Sequence, residues 1–177
     1  ASLVVDGHIM AAGEPGQYIY WESADTWDGI YINENQVNTD TCLFNSCIFE
    51  DQVHWEKAEG GILTINNRSN VILNDCWFGG ILVRHRGAAL YIENSDISIL
   101  HSYFQHNEAW SDSLAQGGAI YMRNSNPELY GNYFTGNQAL NGAAIYGSNS
   151  SPYIHQCTFI GNTSHGGGGV IVFHDSG

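Results

Sequence analysis

Positive charge is nearly missing from this chain: five Lys and Arg stand against eighteen Asp and Glu in 177 residues, for a net charge of −13. Such a surface repels phosphate backbones and anionic lipid heads, and the few basic residues do not cluster, so nucleic-acid and membrane-surface binding are set aside. Long apolar runs are missing too; none approaches the roughly 18 residues of a spanning helix, so no membrane insertion is expected. The N-terminus "ASLVVDG" has no basic region ahead of its apolar residues, so any signal peptide is read as removed or as lying outside this stretch. Cysteine is scarce: Cys42, Cys47, Cys76 and Cys157 are too few for a disulfide scaffold and lack the C-x-x-C spacing of a zinc site. Apolar residues at a 3.6-residue period are rare as well, which argues against helices.

What is there is β-prone: Tyr, Phe, Ile, Val and Asn are plentiful, and 43% of the chain is apolar, enough for one domain with a real core. It is also repetitive. Taking Gly60, Gly87, Gly117, Gly142 and Gly167 as origins, with Trp27-Asp28 as a degenerate first copy, the steps are 33, 27, 30, 25 and 25 residues. A Phe follows at offset 18 (Phe78) or 17 (Phe104, Phe134, Phe159), and Phe49 follows the first origin at 22 because "NENQVNTDT" is inserted. Asn recurs seven after the middle origins, at Asn67, Asn94, Asn124 and Asn149. Leucine-rich and helical arrays share this period but need a leucine ladder or helical periodicity, and neither is present. Short β runs broken by Asn, Gly and Ser leave one coil per repeat, an all-β right-handed single-stranded parallel β-helix of about six rungs.

Stacked rungs require each column to hold side chains that tolerate their own kind. Leu63, Leu90, Ile120, Ile145 and Val170 form one inward column, Ile65, Ile92, Met122, Gly147 and Val172 a second, and the Phe series a third. Cys47, Cys76 and Cys157, each two before its Phe, are expected inward in one column, and Cys42 in that of Val71 and Ile97, all as buried free thiols. One domain is expected over residues 1–177, irregular over 1–59 and regular over 60–177.

The tetrapeptides "GGIL" (60–63), "GAAL" (87–90), "GGAI" (117–120) and "GAAI" (142–145) alternate with "FQHN" (104–107), "FTGN" (134–137) and "FIGN" (159–162). This pattern resembles the GGA[ILV] and FxxN repeats of polymorphic outer-membrane-protein passengers, and more broadly the pectin-lyase-like right-handed β-helix modules of secreted and cell-surface bacterial proteins. Phe49 and Phe78 depart from it, being followed by "EDQ" and "GGI". The resemblance implies an extracellular or cell-surface location and covers adhesins, stalks and polysaccharide-cleaving enzymes alike.

The outward column of the first strand, Tyr31, Thr64, Tyr91, Tyr121 and Tyr146, flanked by Glu93 and Arg123, is a candidate exposed surface for a polysaccharide or a host or cell-surface ligand, with self-stacking as the bland alternative. Glu93 and Arg123 are expected as a surface ion pair across rungs. Trp55 and Trp110, on the long segments 50–59 and 105–116, are candidate contact residues. "NTD" at 38–40 matches one polygalacturonase signature, but its companion Asp-Asp, Gly-His-Gly and Arg-x-Lys elements are absent, so Asp40 is read as a turn residue. "GGGGV" (166–170) has no Lys and opens no helix, which excludes a phosphate loop. His54 and His106 could approach one another, but the eight histidines show no ligand spacing; no metal or cofactor is expected, Ca²⁺ being what the lyase alternative would need. Three sequons, at Asn67, Asn149 and Asn162, are what an Asn- and Ser-rich repeat produces by chance. A flat Thr face, as ice binding needs, is not formed.

The reading is therefore a non-catalytic extracellular structural or adhesive module, with a carbohydrate-active enzyme completed by residues elsewhere as the alternative. Because the chain stops at "VIVFHDSG", inside a rung, it is expected either to be part of a larger surface protein or to stack on other copies of itself into a fibre.

Overall fold

The computed structural model describes residues 2–14, 16–22, 27–33, 40–50, 53–54, 60–111 and 113–175. Among them there is no helix, and every strand-to-strand pairing is parallel, which makes the chain a β-solenoid of about six turns. Each turn carries up to four short strands, and equivalent strands stack into four sheets. The first comprises Ser2–Val5, Gly29–Ile32, Leu63–Asn66, Leu90–Glu93, Ile120–Arg123, Ile145–Ser148 and Ile171–His174. The second comprises Met10–Ala12, Cys42–Asn45, Val71–Asn74, Ser98–Leu100, Glu128–Tyr130 and Tyr153–His155. The third holds Ile19–Trp21, Cys47–Glu50, Trp77–Gly79, Tyr103–Gln105, Tyr133–Thr135 and Thr158–Ile160. A fourth, of two-residue strands, runs from Val53–His54 through Leu82–Val83, Glu108–Ala109 and Gln138–Ala139 to Thr163–Ser164.

All four corners turn on a residue in the left-handed region. The first corner uses Asn67, Asn94, Asn124 and Asn149, all at φ near +50°. Asn tolerates this conformation because its short amide bonds locally. Here the amides also bond upward, Asn94 to Asn67 and Asn124 to Asn94 at 3.1 Å and Asn149 to Asn124 at 3.3 Å. The following Ser column, Ser95, Ser125 and Ser150, is buried, each hydroxyl accepting the N–H of the rung below. At the fourth corner Gly117 sits at φ +67°, where a Cβ would collide with the carbonyl of Ile120. Gly87 and Gly142 stand in the same position, so the glycine that opens these repeats is a steric requirement of the turn.

The core lies inside the coil. Phe49, Phe78, Phe104 and Phe134 are buried and stack with Phe159 at 4.7 to 5.0 Å between ring centroids, with Trp21 below them. The Asn three after each later Phe is the other half of this device. Asn137 accepts from the N–H and the amide of Asn107, both at 3.0 Å, and donates to the carbonyl of Phe104 at 2.9 Å. Asn162 repeats the pattern on Asn137 and Phe134. Buried backbone groups that would otherwise be orphaned at a corner are satisfied by the column itself.

The last rung corrects the expected register. Ile145 pairs with Ile171 and Gly147 with Phe173, so Val172 falls outward in the tyrosine column and neither Val170 nor Val172 occupies the predicted inward place. The four glycines 166–169 absorb one extra residue at this corner, and Gly168 rather than Gly167 lies three before the first inward residue, as Gly142 does before Ile145.

Candidate functional site

The tyrosine column of the first sheet has the expected register, Tyr31 beside Thr64, Tyr91 beside Tyr121 and Tyr121 beside Tyr146, but not the expected exposure. Tyr91, Tyr121 and Tyr146 are only 3, 4 and 9% exposed, and Tyr31 is half-buried. They face away from the core yet form a small apolar cluster of their own, ring on ring at 5.3 and 5.7 Å, with Val172 closing its upper end. The Arg86 guanidinium lies over the Tyr121 ring at 5.3 Å and is anchored to Gln116 at 3.1 Å, while the Tyr91 hydroxyl donates to Glu93. The fourth corner, folded back against the sheet, places that Arg over the rings. The stripe is therefore a packed flank rather than an open platform. Glu93 and Arg123 meet as foreseen, Arg123 Nε donating to Glu93 at 3.0 Å, and that bond raises the Arg123 pKa.

An open aromatic ladder lies instead on the outer face of the third sheet. Trp77, Tyr103 and Tyr133 share one outward column and stack at 5.7 and 5.0 Å. Tyr103 and Tyr133 are 41 and 43% exposed, and Tyr20 is exposed at the lower end of the same face. Sequence reasoning passed over these residues although the signal was present: each directly precedes a core Phe, in "WF" at 77–78 and "YF" at 103–104 and 133–134, and strand alternation puts the neighbour of an inward Phe outside. Beside Trp77 a recess of about 350 Å³ is lined by Glu50, Gly79, Gly80, Gln105 and His106. It exists because Gly79 leaves a gap in the column between Glu50 and Gln105, with the Trp77 indole lying across it.

A second recess, of about 110 Å³, opens on the fourth sheet around Trp110, which is 55% exposed, with Glu108, Ser111, Gln138, Leu140 and His165 in its walls. Trp55 lies outside the described residues, as does the side chain of His54 and with it the expected approach of His54 to His106. Asp40 joins rungs: its carbonyl accepts from Arg68 and Asn70 at 2.7 and 2.8 Å, and its carboxylate is 3.7 Å from His8.

The cysteines keep the predicted columns as free thiols, three buried and Cys157 half-buried. Cys47, Cys76 and Cys157 donate to the carbonyls of Ala11, Phe44 and Leu129 in the rung below, the role that Asn132 plays toward Ile99. The hydrogen bond shared with Cys47, and then burial, push the Cys76 pKa far above the thiol range, while the same bond holds Cys47 lower. A hydrogen-bonded pair gives up its first proton more readily than its second.

Among known proteins, the family model for the right-handed β-helix region matches residues 27–177. Neither a curated protein nor a solved structure gives a significant match.

Proposed function

We propose that this chain, which belongs to the right-handed β-helix family, is a non-catalytic extracellular module that serves as a structural or adhesive element and meets its partner with the outer face of the third sheet. The observation that carries this reading is the exposed ladder of Trp77, Tyr103 and Tyr133. Aromatic residues of this kind contribute large, rigid contact area at small entropic cost, which is why they concentrate in recognition surfaces. The Gly79 recess adds hydrogen-bonding groups from Gln105 and His106 at the ladder's foot, and the Trp110 recess extends the aromatic surface to the adjoining sheet. A net charge of −13 favours an uncharged or cationic partner over an acidic one. Against catalysis by the one carboxylate with a hydrolase-like context, the Asp-Asp, Gly-His-Gly and Arg-x-Lys elements that accompany such an Asp in the polygalacturonase signature are absent from the sequence around Asp40.

The test is a panel of neutral, cationic and acidic polysaccharides together with cell surfaces, assayed for binding and for new reducing or unsaturated ends. Wild-type protein is expected to bind without releasing ends, and the double variant Tyr103→Ser, Tyr133→Ser to lose at least about tenfold in affinity, as loss of an aromatic anchor does. Released ends would overturn the non-catalytic reading. Undiminished binding by the folded double variant would remove the third sheet from it.

A further inference from the structure

We infer that Cys47 and Cys76 are a latent disulfide that joins two successive rungs when the chain folds in contact with a small-molecule disulfide. The inference is independent of the adhesive reading. Each cysteine precedes a core Phe by two, and Phe49 and Phe78 are direct partners in the third sheet, so the two cysteines stand in register on neighbouring rungs. Paired strands run about 4.8 Å apart, inside the window of about 4.4 to 6.8 Å between Cα atoms that a disulfide spans. Both side chains point inward and both are buried.

The same column argument excludes the other two cysteines. Cys157 is separated from Cys76 by the rungs that place Ser102 and Asn132 at this position. Cys42 begins the second-sheet strand, in the column of Val71, at the opposite end of that strand from Cys47. Only weak S–H contacts are given up when the sulfurs join, those of Cys47 to the carbonyls of Ala11 and Asn45 and of Cys76 to those of Phe44 and Asn74.

The chemistry is thiol–disulfide exchange. The thiolate of one cysteine attacks a sulfur of the oxidant, forming a mixed disulfide and expelling one small thiolate. The thiolate of the other then attacks the protein sulfur of that mixed disulfide, closing the Cys47–Cys76 bond and expelling the second small thiolate. The two protons lost by the cysteines end on the two released thiols, and the oxidant has taken up two electrons. Because both thiols are enclosed in the finished coil, the exchange belongs to the folding chain, before the rungs close over them.

The experiment refolds the full 177-residue chain with reduced and oxidised glutathione, or with dithiothreitol alone, and measures intact mass, thiols titratable in denaturant, and linked peptides after digestion. Glutathione-refolded protein is expected to lose two hydrogen atoms in mass, to show two thiols instead of four, and to yield a peptide linking Cys47 with Cys76. Cys47→Ser and Cys76→Ser, close in shape and still hydrogen-bonding, should each retain three thiols. Four titratable thiols in natively folded, glutathione-treated wild-type protein would overturn the inference, and so would a link through Cys42 or Cys157. The wild-type comparison decides the matter even if a variant fails to fold.

Discussion

Asn137 and Asn124 are the same residue type in the same rung, and they do different work. Asn137 is buried and serves the Asn107 N–H and the Phe104 carbonyl, whereas Asn124 is exposed and only exchanges amide bonds with Asn94 and Asn149 along its corner. Asn137→Ala leaves the buried N–H and side-chain amide of Asn107 without this acceptor, at about 1 to 3 kcal/mol for the backbone group. It should therefore lower unfolding free energy in urea by about 1 to 3 kcal/mol, and Asn124→Gly, which keeps the left-handed corner, by less than about 1 kcal/mol. Equal losses would mean that the buried amides are not satisfying those groups. The thiols give a residue-scale prediction in pH. Burial raises the Cys157 pKa, so at this thiol the native chain holds a proton that the unfolded chain releases. The stability contributed there in reducing buffer is full below the ordinary thiol pKa of about 8.5 and declines as pH climbs past it. Urea midpoints measured from about pH 7.5 to 9.5 should therefore fall more in the wild-type protein than in Cys157→Ser.

At the scale of the strand and its corners, the fold was legible where one column dictates one residue type. The Phe spacing, the Asn corner and the in-and-out alternation of the first strand all follow from stacking, and Phe104 indeed pairs with Phe134 and Tyr91 with Tyr121. Alternation says which way a side chain points but not what lies on top of it. The burial of Tyr121 depends on Arg86, reaching over it from a corner a rung's length away in sequence, and no periodicity announces that contact. The third-sheet ladder was missed for the opposite reason: "YF" reads as core until alternation is applied to its first letter. The register of the last strand is hidden in a run of four glycines, because identical residues give no marker of where the corner begins. Where a corner glycine is unambiguous, the prediction is sharp. Gly117→Ala forces a Cβ onto the Ile120 carbonyl at φ +67° and should cost about 1 to 3 kcal/mol, read as a lowered thermal midpoint. No measurable loss would show that the corner relaxes to another conformation.

Across the whole molecule, the strand hydrogen bonds connect one rung to the next, along the long axis rather than across it. Successive inward residues Leu63, Leu90, Ile120, Ile145 and Ile171 are partners in adjacent rungs, so the rungs they delimit contain 27, 30, 25 and 26 residues. Tension applied between the two ends would load those bonds head-on and peel the coil from an end, one rung per event. Each event frees one rung's worth of chain, on the order of 80 to 110 Å at 3.3 to 3.6 Å per residue. A single-molecule pulling trace should therefore be a staircase whose unequal treads repeat the unequal spacing of the glycine corners, whereas one all-or-none release would show that the rungs share a single barrier. A column of stacked rungs anchored at its ends is in this sense an extensible tether: it lengthens in measured increments under load and can rewind when the load is removed.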